Sequence, residues 1–119
     1  GTLSTTALIP KNSEYSATKS AMISMSKTMA REMGCQNVRV NIVTPGYTTG
    51  DELDGLFARR AEGAGVTPEE MSQQIAEQCE LKRHVDPEDI AEACLFLVSD
   101  RSRNTTGIEL DVTAGAMVR

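Results

Sequence analysis

Two short β-branched runs bound what this chain can fold into. Val38-Arg39-Val40-Asn41-Ile42-Val43 is largely apolar and reads as a buried strand. Ile108-Glu109-Leu110-Asp111-Val112 alternates, is led in by Thr106-Gly107, and reads as a second strand. Only helix-type sequence lies between them. Strands separated by helices pair in parallel through crossovers, because a tight hairpin joins antiparallel strands only. The expected class is therefore α/β with a parallel sheet.

The helices announce themselves at their starts. Pro10, Lys11, Asn12 and Ser13 are turn formers, and Asn12 or Ser13 can cap a helix over Ser13 to Gly34. Met22, Met25, Met29 and Met33 recur along it at helical spacing, a stripe read as core. Gly34 is placed to end that helix in the left-handed conformation. Asp51 to Ala64 carries Leu53, Leu56, Phe57 and Ala61 at helical spacing. Thr67-Pro68-Glu69-Glu70 is a capping box with proline at the first helical position. Met71, Ile75 and Cys79 follow one turn apart. Asp86-Pro87-Glu88-Asp89 starts a further helix, running to about Val98. Its last residues, Leu95-Phe96-Leu97-Val98, are apolar all round, so its end is expected to be buried. Gly1 to Leu8 suits the end of a strand entering a loop. The start, Gly1-Thr2-Leu3, reads as the carboxyl-terminal part of something longer.

Composition narrows the partners. A net charge of −5 argues against nucleic acid or an anionic membrane as the main partner. No apolar run is long enough to span a bilayer. The 3 cysteines, Cys35, Cys79 and Cys94, are odd in number, form no CxxC pair, and read as reduced thiols of a cytoplasmic protein. No metal site is expected.

Chemistry is concentrated in Tyr15-Ser16-Ala17-Thr18-Lys19. On a helix, Tyr15 and Lys19 share a face. A phenol ordinarily titrates near ~10, too high for ready proton exchange at neutral pH. An ammonium one turn away favours the phenolate form. Such a pair suits general acid–base work on a carbonyl or alcohol oxygen. Residues 44 to 50, at the carboxyl end of the first strand, form a polar loop where an open α/β sheet binds ligands.

These residues resemble the carboxyl-terminal half of the short-chain dehydrogenase/reductase family. Tyr15 to Lys19 is similar to its YxxxK active site. Val38 to Gly46 is similar to its RVN-x-x-x-PG strand and loop. Arg83, Pro87-Glu88-Asp89-Ile90-Ala91 and Leu95-Phe96-Leu97 resemble its R-x-x-x-P-E-E-I-A … FL segment, and Thr106 to Asp111 its approach to the last strand. The resemblance implies the C-terminal half of a doubly wound, Rossmann-like parallel-sheet domain spanning residues 1–119, with the nucleotide-binding half absent and a mobile substrate lid over 51–80. It implies hydride transfer between NAD or NADP and a carbonyl or secondary alcohol. Tyr15 would pass the proton, while Lys19 would assist it and hold the nicotinamide ribose. A serine would orient the substrate oxygen. The family places that serine 13 residues before the tyrosine, where Thr2 stands. Sliding the loop by two residues puts Ser4 in register, and Ser4 is preferred over Thr5 or Thr2. Tyr15, Lys19, Pro45 and Gly46 would meet the cofactor, with Thr48 and Thr49 standing in for a threonine that the family often has where this chain has Gly50. His84 is read as a surface or hinge residue. A homo-oligomer, dimer or tetramer, is implied for the full-length form.

Two functions follow. One is an oxidoreductase acting on a small molecule, completed by a preceding nucleotide-binding half. The other is a non-catalytic fragment or scaffold, since half a doubly wound sheet leaves an open strand edge and an uncovered apolar face.

Overall fold

The computed structural model describes residues 1–2 and 10–116. The expected strand end at residues 1–8 therefore falls largely outside the described residues. Helix α1 spans Ser13–Met33 and starts at Asn12, whose carbonyl accepts the Ser16 N–H at 3.0 Å. Gly34 does not take the left-handed step. Its φ is −59° and it continues into a 3-10 turn, Gly34–Gln36. Asn37, at φ 60°, makes the reversal and donates its N–H to the Gly34 carbonyl at 3.0 Å. Asparagine tolerates this region better than most residues, so the 3-10 turn simply moves the stop.

Strand β1, Ile42–Pro45, pairs in parallel with strand β2, Glu109–Val112, and Ile42 stands opposite Glu109. The expected strand from Val38 begins four residues late. Its first residues bind a loop instead of a ladder. The Arg39 guanidinium donates to Ser102 Oγ, to the Thr105 carbonyl and to the Ser99 carbonyl. Asn41 donates to the Thr105 carbonyl and accepts the Ile108 N–H. These side chains clamp the return loop and so set the strand register.

Helix α4, Pro87–Val98, lies against both strands. Leu97 is buried beneath it, but Leu95, Phe96 and Val98 are exposed, Val98 at 76 %. The expectation of a buried helix end is therefore wrong for this chain. The Met stripe of α1 departs in the same way: Met25 is 59 % and Met29 38 % exposed. Burial on α1 is confined to Ser16 and Ala30, and Ala30 packs where Gly107 has no side chain. An apolar stripe shows which face wants cover; these residues do not supply it. The radius of gyration, 16.3 Å, exceeds the roughly 13.5 Å of a compact chain this long.

The buried apolar cluster lies elsewhere. Helices α2, Asp51–Ala64, and α3, Pro68–Glu77, form a hairpin around Leu53, Phe57, Ala61, Met71 and Ile75. The Thr67–Glu70 capping box forms as read, with Thr67 Oγ1 accepting the Glu70 N–H and the Glu70 carboxylate accepting the Thr67 N–H. Beyond α3 the chain is tied to its own tail: the Leu81 N–H donates to the Ala114 carbonyl at 3.0 Å. No helix among the described residues is long and apolar enough to cross a membrane.

Candidate active site

The first turns of α1 place Tyr15 and Lys19 together. The Lys19 ammonium sits 5.5 Å from the centroid of the Tyr15 ring. Tyr15 is 45 % exposed, and its hydroxyl donates to Thr2 Oγ1 at 3.5 Å. Ser4 and Thr5 lie outside the described residues. Among the described residues, the hydroxyl that accepts from Tyr15 is that of Thr2, 13 positions before it.

The carboxyl end of β1 delivers the loop 46–50 to the same place. Gly46 donates its N–H to the Val112 carbonyl at 2.9 Å, and a Cβ there would stand 2.7 Å from the Thr113 Cα. Gly46 is therefore required by close backbone packing. The loop is held from below by Val85, which donates to the Tyr47 carbonyl at 2.9 Å and accepts the Thr49 N–H at 2.8 Å. In this parallel bridge Thr48 is the paired residue. Its own N–H and C=O consequently point to the opposite side. The Thr48 hydroxyl donates to the Gly46 carbonyl at 3.1 Å, and the Thr49 hydroxyl donates to Asp86 Oδ1 at 2.9 Å. Thr49 is thus spent on holding α4's entry. Gly50, at φ 141° and ψ 177°, starts α2 in a conformation that essentially only glycine adopts. That accounts for glycine where a threonine was looked for.

These elements enclose a cleft of about 770 Å³. Thr2, Tyr15, Pro45, Gly46, Tyr47 and Thr48 line one side; Asp51, Glu52, Leu56 and Arg59 of α2 line the other. Tyr47 and the α2 residues were missed as site residues. Their signal is the spacing 52, 55, 56, 59, a second face of a helix whose first face is core. Lys19 and Thr49 are not among the residues that line the cleft.

His84 is outside the cleft. Its Nε2 lies 3.0 Å from Ser72 Oγ and 3.1 Å from the Ser72 carbonyl oxygen. Its ring packs 5.1 Å from Phe57 and 6.4 Å from Tyr47, centroid to centroid. It joins α3, α2 and the strand-end loop.

The family model described as Enoyl-(Acyl carrier protein) reductase matches residues 2–117. The chain belongs to the short-chain dehydrogenase/reductase family. It is 38% identical over 107 residues to the 3alpha-hydroxysteroid dehydrogenase of Mediterraneibacter gnavus, covering 90% of this chain and 38% of that protein. Among solved structures it is similar to L-sorbose reductase from Gluconobacter frateurii, complexed with NADPH and L-sorbose. There the TM-score is 0.87 at 26% identity, over 99% of this chain and 45% of that one. It also resembles NAD+-bound xylitol dehydrogenase, with TM-score 0.83 at 25% identity, over 97% of this chain and 46% of that one. The Rossmann-like α/β fold of this short-chain dehydrogenase/reductase is thereby shown. The chain spans less than half the length of these relatives.

Proposed function

We propose that residues 1–119 are the catalytic half of a Rossmann-type domain. Its reaction moves a hydride between NAD or NADP and a carbonyl or secondary alcohol of a small molecule. The observation that carries this is the Tyr15 phenol with the Lys19 ammonium beside it, opening on the cleft at the carboxyl end of β1. Relatives named as a 3alpha-hydroxysteroid dehydrogenase, an L-sorbose reductase and a xylitol dehydrogenase support the reaction class.

The bound nicotinamide supplies or accepts the hydride. In reduction, Tyr15 gives its phenolic proton to the substrate oxygen as the C=O electron pair moves onto that oxygen. In oxidation it takes the proton back. The Lys19 ammonium stabilises the charge left on the phenol oxygen and reaches the ribose hydroxyls. A hydroxyl orients the substrate oxygen: Ser4 by its register with the family pattern, with Thr2, bonded to Tyr15, as the alternative. A carboxamide presents both a donor and an acceptor. The outward N–H and C=O of Thr48, firmly backed by Val85, suit it. Pro45 and Gly46 shape the wall without donating, since proline lacks an N–H and Gly46 spends its own on Val112. Residues 51–80 act as a substrate lid that excludes water. Their shared buried cluster supports a lid that would move as one piece. The relatives in complex with NADPH and with NAD+ keep both cofactors in the reading. The protein works in the cytoplasm as a homo-oligomer.

The test is turnover by the full-length protein. NADH or NADPH oxidation should be seen with a panel of ketones, with a matching alcohol as product. No turnover with any member, in either direction and with either cofactor, would overturn the reading.

A further inference from the structure

We propose that Arg59 is the anion-recognition group of the cleft, and that the substrate carries a carboxylate or phosphate monoester away from its reacting carbonyl. The proposal rests on the reading of the cleft as the substrate site. Arg59 lines the cleft with Tyr15, whereas the adjacent Arg60 does not. Among the described residues the Arg59 guanidinium has no carboxylate or hydrogen-bond partner, although α2 carries Asp51, Glu52, Asp54 and Glu62. Its donors are therefore available to an anion in the cleft that it lines.

Gly55 sets its direction. It lies one turn before Arg59, and a Cβ on it would stand 3.4 Å from Arg59 Nη1. The guanidinium therefore folds back over the bare backbone of Gly55, towards the amino end of α2 where loop 46–50 and the cleft lie. This is also the direction in which helical side chains lean. Among the side chains that line the cleft, Arg59 is the one cation, its guanidinium at the level of Gly55, and Leu56 beside it offers an apolar surface. A substrate is thus oriented with its carbonyl at Tyr15 and its anion at Arg59.

The experiment compares matched substrates on the full-length enzyme: a short oxo acid against its methyl ester, and a keto-sugar phosphate against the free keto-sugar. The wild type should prefer the anionic member of at least one pair, and the preferred pair tells carboxylate from phosphate. Arg59→Ala should raise KM for that member about ten- to a hundredfold, the usual worth of a charge-assisted hydrogen bond, with kcat nearly unchanged. Its effect on the neutral member should be several-fold smaller. Arg59→Lys should restore part of the preference, and Arg60→Ala should change nothing. Equal use of both members by the wild type, or an equal loss on both in Arg59→Ala, would overturn the proposal. Turnover of neutral ketones that Tyr15→Phe abolishes would keep the site reading intact even then.

Discussion

Lys19 holds its ammonium 5.5 Å from the centre of the Tyr15 ring, one turn further along α1. The jobs proposed for the two side chains are separable. Tyr15→Phe in the full-length protein should lower kcat by about 10²–10⁴-fold, the range for a general acid or base. Cofactor affinity should stay within about twofold of wild type. Lys19→Ala should lower kcat and weaken cofactor binding together. Steady-state rates and calorimetric dissociation constants on both variants check the split. More than about a tenth of the wild-type rate in Tyr15→Phe would remove it from the proton-donor role.

The chain on its own should bind neither NAD nor NADP measurably. In the proposed reading Lys19 and the Thr48 backbone would meet the nicotinamide end alone. No strand of the described residues runs into a glycine-rich turn at a helix N-terminus, the usual grip on a pyrophosphate. Roughly millimolar affinity, about −4 kcal/mol, is the ceiling expected. Micromolar, saturable heat on titration would mean that the cofactor is held elsewhere.

Two backbone positions should respond in opposite directions. Gly50 sits at φ 141°, so Gly50→Ala should cost about 1–3 kcal/mol and disturb the start of α2. Ala114 is an L-residue at φ 53° in the tail turn. Ala114→Gly relieves about 1–2 kcal/mol of left-handed strain and gives back about 0.5–1 as unfolded-chain entropy. It should leave the protein unchanged or up to about 1.5 kcal/mol more stable. Urea denaturation of the full-length variants reads both.

Cys79, 1 % exposed at the end of the hairpin, has its thiol pushed up from the ordinary 9.0 by burial, partly opposed by the Lys82 ammonium. The buried form is the neutral thiol. Its contribution to stability is present below the ordinary value and is lost as pH rises above about 9. Stability of the wild type should therefore fall more steeply above that pH than stability of Cys79→Ala. A thiol reagent should modify exposed Cys35 and Cys94 of the isolated chain quickly, and Cys79 only when the hairpin opens. Equal rates at the three cysteines would contradict the burial.

What could be read from the sequence was what depends on neighbours in the chain. The starts at Thr67 and Asp86, the α2 stripe and the Tyr15–Lys19 pairing are set within one or two turns, and the structure bears them out. Burial of the Met stripe and of Leu95 to Val98 could not be read, because it depends on what packs from outside. The late start of β1 escaped too. Arg39 and Asn41 bind a loop more than sixty residues away, and no local pattern reports that. Thr48 and Thr49 looked alike as polar loop residues. The bridge to Val85 and the bond to Asp86 are what separate them.

The buried cluster of this chain is made by neighbours in sequence, from Leu53 to Ile75. The sheet instead joins residues such as Asn41 and Ile108, 67 positions apart. Closing a long loop costs more entropy than closing a short one, and local contacts form faster. The α2–α3 hairpin should therefore assemble first, and strand pairing should be the slow step. The segment proposed to govern access to the cleft should thus also be the earliest folding unit of this region, complete before β2 arrives and before Tyr15 has a sheet to stand beside.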